Sequence, residues 1–464
     1  MTILEIKNRL YIKNPHALII DKIKKELEII NPKWLENHKM GRWNGKTKKT
    51  IKFFHIGKTG KISIPRGLTR HYIKFCIDKN INYQIEDKRL VSKDIDFQFK
   101  GQLRPFQKRA VHDLFSKDFG ILNAPTGSGK TIMALNLIYL RKQPTLVIVH
   151  TRDLARQWIN QGAKFLGLKE DEIGLIGSGK KTTGEKLTIG LVQSLINYKG
   201  DLLSRTGHLI VDECHRTPSK TFTKVVSAFS SKYLLGLSAT PYRRDNLSML
   251  IFWYLGELKH KIDKKNLIIR GDIIKAEIIF RPTEFTPFND PVTNYSKMMT
   301  ELASDNSRNT LISDDIAKVY KTSGGHILVL SDRKKHCENL QAILKFRHRL
   351  ESHLFTGDLS EKKRKETLEA FISKKNNIII ATGQLIGEGF DLKTLETLFL
   401  ATPITFSGRL TQYLGRVLRP APGKSKALVY DYVDVHVNTL RKSAFLRSKI
   451  YDIDFSPSFF NDFW

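Results

Sequence analysis

Ala124-Pro125-Thr126-Gly127-Ser128-Gly129-Lys130-Thr131 is the stretch whose reading decides the fold. It follows the apolar run Phe119-Gly120-Ile121-Leu122 and opens a segment with helical character through Leu140. Strand, glycine-bearing loop, Lys-Thr and helix together form a layout in which backbone N–H groups surround the phosphates of a nucleotide. In it Thr126, Gly127, Ser128 and Gly129 line the phosphates, Lys130 reaches the outer ones, and the Thr131 hydroxyl ligates Mg²⁺. The usual first glycine is Ala124 here. The loop predicts nucleotide binding and leaves open what the energy drives.

Composition sets the outer bounds. A chain of 464 residues exceeds one ordinary core, so two or three domains are expected. No apolar run approaches the roughly 18 residues of a membrane span, and the start, Met1-Thr2-Ile3-Leu4-Glu5-Ile6-Lys7, is not a secretory signal. Cys76, Cys214 and Cys337 are odd in number and far apart, which argues against a disulfide framework and a cysteine zinc site. A cytoplasmic protein is the expectation. The formal net charge of +32 makes a polyanion the expected partner. Residues 1–100 hold 23 Lys and Arg against 10 Asp and Glu, a net of +13. With no basic amphipathic helix or lipidation signal, nucleic acid is favoured over a membrane surface.

Residues 1–95 lack the alternation of helices with parallel-type strands. They show a helical stretch near Asp21–Ile30, a basic loop from Trp43 to Lys49, a turn at Ile64-Pro65-Arg66-Gly67, and aromatics interleaved with Lys and Arg. This reads as a small, basic α+β domain whose mix suits stacking and phosphate contact with nucleic acid and, about equally, packing in a core. Two series of apolar strands follow. The first comprises Thr145–Val149, Leu187–Leu191, His208–Val211 and Tyr233–Leu237. The second comprises Ile327–Leu330, Ile378–Ile380, Thr397–Leu400 and Ala427–Tyr430. Near-continuous apolar strands alternating with helices predict doubly wound parallel sheets. The expected division is 1–95, 96–272, 273–450 and a tail 451–464, with Glu284–Asn294 irregular.

In the first series, Asp212-Glu213-Cys214-His215 ends an apolar strand, where α/β sheets bind ligands. Asp212 suits the Mg²⁺ shell, directly or through water, and Glu213 suits activation of the attacking water. Ser238-Ala239-Thr240 follows the next strand, with hydroxyls able to bond the acidic pair. Arg104 and Gln107 offer groups for an adenine edge.

The order of these elements resembles the superfamily 2 helicases and translocases, and more narrowly their phage UvsW and XPB-like branch. That resemblance implies two RecA-like α/β domains that hydrolyse ATP with Mg²⁺ in a cleft between them. It assigns Ser238 and Thr240 to coupling. It assigns Thr151, Arg152, Gln193, Ser194, Ser331, Arg333, Thr356, Gly357, Thr382 and Gly383 to contacts with the nucleic-acid backbone. Gly389 and Asp391 would face the nucleotide. Gln412, Arg416 and Arg419, within Gln412-Tyr413-Leu414-Gly415-Arg416-Val417-Leu418-Arg419, match the motif that supplies arginine fingers. Arg243-Arg244-Asp245 departs from the Arg-Glu-Asp triplet of XPB. The expected activity is an ATP-dependent DNA translocase acting as a monomer on forks, displacement loops and four-way junctions. An RNA helicase, the motor subunit of a restriction system and a non-catalytic nucleotide-gated scaffold remain as alternatives.

Overall fold

The computed structural model describes the chain apart from residues 217–218, 240–247, 324, 374–376, 384–393, 405–409, 411–412, 416, 418–423, 425–426 and 452–464. Two compact units carry it. The first is Met1–Ala124 with Gly129–Ile262, and the second is Asp263–Trp464 with Pro125–Ser128.

The first unit starts with β1 (Thr2–Ile6), β2 (Leu10–Lys13), β3 (Glu28–Ile30), β4 (Thr50–Lys52), β5 (His55–Ile56), β6 (Ile62–Ile64) and β7 (Tyr83–Asp87). Five of these form a mixed sheet in the order β5-β6-β2-β1-β7, while β3 pairs with β4 alone. The helices Ala17–Leu27 and Thr69–Asp78 bury Ile19, Ile23, Leu27, Tyr72 and Cys76 with the sheet's Leu4, Leu10, Ile12 and Ile64. The helix expected near Asp21–Ile30 is thus corrected: it starts at Ala17 and stops at Leu27. Glu28-Ile29-Ile30 is extended because the pairing of Ile29 with Ile51 across β3 and β4 overrides the helical spacing.

The same unit holds an eight-stranded sheet of β8 (Phe119–Asn123), β9 (Thr145–Val149), β10 (Gly174–Gly177), β11 (Lys180–Thr182), β12 (Leu187–Leu191), β13 (His208–Val211), β14 (Tyr233–Ser238) and β15 (Leu258–Lys261). Its order is β11-β10-β12-β9-β13-β14-β8-β15, all parallel except the edge strand β11. The four strands expected in this series are present, Tyr233–Leu237 reaching one residue further to Ser238. Parallel strands covered on both faces must be apolar throughout. Leu146, Val147, Ile148 and Val149 are accordingly buried in sequence.

The basic α+β part is welded to this sheet. Arg66 is buried, and its Nη1 donates to the carbonyls of Ser231 (2.8 Å) and Lys7 (3.3 Å). Gly67 lies so close to the helix Met249–Leu255 that a Cβ there would stand 2.5 Å from the Trp253 carbonyl oxygen and 2.6 Å from Gly256 N. Phe53 and Trp253 meet edge to face at 5.4 Å and pack against both hydrophobic cores. Arg89 bridges Asp87 and Asp118.

The second unit is built on β16 (Ala276–Thr283), β17 (His326–Ser331), β18 (His353–Phe355), β19 (Ile378–Thr382), β20 (Leu395–Leu400) and β21 (Ala427–Asp434), all parallel in the order β16-β21-β20-β17-β19-β18. Both α/β portions have the RecA-like, doubly wound form expected from the strand series. Residues 284–294 contain no helix or strand. Beneath the sheet ends lies a buried ionic network. Arg308 Nε and the Thr283 hydroxyl both reach Asp434 Oδ1 at 2.7 Å, and Arg447 clasps Asp431 through two bonds of 2.8 and 2.7 Å. The Arg447 contacts tie the helix Asn438–Tyr451 to β21.

Gly67→Ala is expected to loosen the weld, since its Cβ meets backbone atoms that cannot move independently. Arg66→Ala should cost about 2–4 kcal/mol by stranding two buried carbonyls and leaving a cavity. Chemical denaturation measures the loss, and limited proteolysis should show earlier cleavage after residue 67 in both variants.

Candidate nucleotide site and nucleic-acid interface

Sheet order sorts the predicted motifs. Strands β13, β14 and β8 are neighbours, so the acidic box, Ser238 and the glycine loop all follow adjacent carboxyl ends. Thr151 and Gln193 follow β9 and β12, the next pair along the sheet on the far side of β13.

The helix Lys130–Arg141 is capped at its N-terminus by Gly129. Gly127 and Gly129 have φ of +84° and +82°, a left-handed backbone that glycine adopts without steric cost. A Cβ on Gly129 would also stand 2.5 Å from Gln107 Nε2, so the loop needs glycine there for space as well. Gln107 is buried beside the loop, and its Oε1 accepts the Arg104 N–H at 2.9 Å, closing the start of the helix Pro105–Phe115. Ser128 folds onto the Pro125 carbonyl (2.7 Å), and Lys130 Nζ donates to the Ala124 carbonyl (3.1 Å). Ala124 is fully buried, so its methyl group packs inward. Thr131 occupies the first turn of the helix and is half-buried.

Asp212 is buried at the end of β13. Its Oδ1 accepts the Glu213 N–H (2.9 Å) and its Oδ2 accepts the Trp158 indole N–H (2.8 Å). Burial, reinforced by the neighbouring Glu213 charge, pushes the Asp212 carboxyl up to about 6, against the lowering effects of the Trp158 bond and Lys130. Glu213 holds φ of +45°, an unusual conformation for a side-chain-bearing residue and one that clusters at functional sites. His215 lies 3.4 Å from Glu213 through Nδ1, and the same nitrogen is 2.9 Å from Ser238 Oγ. The Ser238 carbonyl in turn accepts the Ala124 N–H at 3.0 Å. One residue at the end of the middle strand therefore touches both Ala124, at the start of the phosphate loop, and His215, the neighbour of Glu213.

Trp158 and His215 belong to this constellation, and the sequence reading assigned neither a role. Trp158 sits on the helix Arg152–Leu166, whose buried face is Ala155, Trp158, Gly162 and Leu166. That spacing signals core, and nothing local to Trp158 marks its indole N–H as Asp212's partner. The signal for His215 was present in the box itself.

Among the residues offered for nucleic-acid contact, Thr151 caps the helix Arg152–Leu166 through its hydroxyl, and Arg152 is exposed. Gln193 and Ser194 are exposed between the buried Val192 and Leu195. In the second unit the neighbouring strands β17, β19 and β18 end at Ser331, Thr382 and Phe355. Their carboxyl ends carry Ser331 with Arg333, Thr382 with Gly383, and Thr356 with Gly357. Ser331 is 1% exposed, and its hydroxyl meets His336 Nδ1 (3.0 Å) and accepts the Arg333 N–H (3.1 Å). Arg333 is the outward member of that pair, with Nη2 on the Ser296 carbonyl at 3.1 Å. Thr356 is buried, while Gly357 is exposed. The Gly383 carbonyl accepts the Tyr413 hydroxyl. Thr240, Gly389, Asp391, Gln412, Arg416 and Arg419, and the Arg243–Asp245 triplet, lie outside the described residues.

Residues 100–243 match the family model of the res subunit of type III restriction enzymes, and residues 310–421 that of the helicase conserved C-terminal domain. A putative ATP-dependent RNA helicase of Acanthamoeba polyphaga mimivirus is 30% identical over 396 residues, which are 81% of this chain and 71% of that protein. The DNA 3'-5' translocase XPB2 of Sulfurisphaera tokodaii is 36% identical over 173 residues, 37% of this chain and 38% of that one. The crystal structure of the Pyrococcus furiosus Hef helicase domain shares the fold with a TM-score of 0.51 at 13% identity, covering 75% of this chain and 98% of that domain.

Trp158→Phe removes a hydrogen bond that favours ionised Asp212. It should raise that carboxyl further and move the acid limb of the ATPase profile up by about one pH unit. Turnover measured from pH 5 to 8 checks this, and an unmoved acid limb would contradict it. Since Asp212 is raised in the folded state, that state binds more protons between its ordinary value and 6. Nucleotide-free stability should therefore fall as pH rises through 6.

Proposed function

We propose, for a chain that belongs to the superfamily 2 helicases, in their XPB-like branch, and that hydrolyses ATP to act on nucleic acid, that its substrate is branched DNA. The observation that carries this reading is the weld. Residues 1–100, with their net charge of +13, are held by buried Arg66 on the sheet whose unit carries Lys130 and the acidic box. A polyanion held by that basic domain would feel every movement of the first motor domain. The UvsW-type resemblance of the motifs supports branch migration of forks, displacement loops and four-way junctions in recombination or repair, with the host cytoplasm as the place of action.

In this reading Arg104 and Gln107 recognise adenine, and Thr126–Gly129 with Lys130 cradle the phosphates. Glu213 orients and deprotonates the attacking water. Thr131 and Asp212 would hold Mg²⁺, which supplies charge neutralisation at the phosphates. Asp212 fits a cation on its own chemistry: a buried carboxyl raised to about 6 beside a second carboxylate is short of positive charge. Gly389 and Asp391 complete the nucleotide contacts, and Gln412, Arg416 and Arg419 act on the transferring phosphoryl group. Ser238 and Thr240 couple the nucleotide state to Thr151, Arg152, Gln193, Ser194, Arg333, Gly357, Thr382 and Gly383, which grip the nucleic-acid backbone. Ser331 and Thr356, being buried, position their neighbours instead.

The name of the mimiviral relative favours a second reading, an RNA helicase opening short duplexes. ATPase stimulation by a mobile four-way junction, a static duplex and a single-stranded RNA separates the two. The junction should stimulate most and be moved in an ATP-dependent way. Glu213→Gln should lower turnover about 10²- to 10⁴-fold, the range for loss of a general base. An ATPase indifferent to DNA would overturn the branched-DNA reading.

A further inference from the structure

Between β3 and β4 the chain leaves the N-terminal sheet through the helix Pro32–Lys39, turns, and comes back. Its two ends are clasped. Asn31 donates through its backbone N–H to the Lys49 carbonyl (2.8 Å) and through its side-chain amide to the Lys48 carbonyl (3.0 Å). The turn is closed internally, Arg42 N–H to the Asn37 carbonyl and Thr47 N–H to the Asn44 carbonyl, both at 2.8 Å. Lys49 stands over the Trp34 ring at 5.5 Å.

On this ordered turn Trp43 is 91% exposed. Its indole lies against Gly45, where a Cβ would come within 2.8 Å of the six-membered ring and where φ is +48°. Glycine thus lets the ring lie against the loop backbone while most of its surface faces water. From residue 37 to residue 52 there are six Lys and Arg and no acid. Lys39, Arg42, Lys46, Lys48 and Lys49 are all exposed, and none is ion-paired among the described residues. An apolar ring held in water amid unpaired cations is poorly suited to an apolar protein face, which would have to desolvate those charges. It suits a polyanion that has a flat aromatic surface to offer. In duplex DNA each internal base already stacks on its neighbours, so away from duplex ends such a surface is available only where bases are unpaired.

We propose that the Trp43 turn is a single-strand binding element, in which Trp43 stacks on an unpaired base while Arg42, Lys46, Lys48 and Lys49 hold the adjoining phosphates. This rests on the branched-DNA reading and adds to it the part of the branch that is held: a single-stranded arm beside the junction.

The test uses the full chain as wild type, Trp43→Ala and Trp43→Phe. Each is titrated by fluorescence anisotropy with a labelled fork carrying one single-stranded arm and with a blunt duplex of equal length. Trp43→Ala should weaken binding of the fork about tenfold, the scale of one lost base stack, and leave the blunt duplex unchanged. Trp43→Phe should recover most of that loss. The triple variant Lys46→Gln, Lys48→Gln, Lys49→Gln should flatten the salt dependence on a single strand by about 0.7 log units per contact removed. The ring is 91% exposed and outside the core, and an unchanged thermal melt excludes unfolding as the cause. Trp43→Ala indistinguishable from wild type on both substrates would overturn the inference and hand the turn to a protein partner. Equal losses on fork and duplex would overturn it too. Either result leaves the proposed function standing if the wild type still moves junctions, whereas a wild-type ATPase that ignores DNA defeats that function itself.

Discussion

Burial of the Asp212 carboxylate is the constraint on which the motor unit turns. A parallel sheet covered on both faces leaves polar side chains only the strand ends, and β13 delivers two carboxylates to one such end. Water is excluded from the first, so burial and the neighbouring Glu213 charge raise its pKa to about 6. The Trp158 indole and the Glu213 amide hold its oxygens in place without neutralising them. The arrangement is costly in isolation and suited to a phosphate-bound cation, which places the site among those where stability is given up for chemistry.

The interleaving of strands turns that local cost into communication. Because β14 lies between β13 and β8, Ser238 is within reach of both motifs at once, its carbonyl on the phosphate loop and its hydroxyl on His215. A shift of the loop by a fraction of an ångström has to be passed on or resisted, since packed strand ends have little free volume. The candidate nucleic-acid residues Thr151 and Gln193 follow the next strands along, β9 and β12. Strand order alone therefore ranks the motifs by distance from β8, the strand that leads into the glycine loop.

What was readable in advance follows the range of the forces involved. Thr145–Val149 and Leu187–Leu191 were read to the residue, because a fully buried parallel strand writes its environment into consecutive apolar side chains. The helix near Asp21–Ile30 was misplaced at both ends, because β3 is extended only through its pairing with a strand about twenty residues away. The Arg308–Asp434 and Arg447–Asp431 pairs were invisible for a related reason: each charge looks like a solvated surface residue until a distant partner buries it. Trp158 shows the limit most sharply. Its place on the buried face of a helix is a matter of spacing, but the direction of its N–H depends on a strand fifty-four residues away.

The Ile64–Gly67 turn gives the charge distribution its meaning. Lysines on a loosely tethered domain would raise affinity for a polyanion without linking it to the ATP cycle. Arg66 inside the interface, Gly67 against the Trp253 backbone and Phe53 shared between two cores make the basic domain an extension of the first motor domain. Arg66 fixes that joint through the two bonds of its Nη1 to the Ser231 and Lys7 carbonyls. Whatever the basic domain holds must therefore move as the phosphate loop's sheet moves.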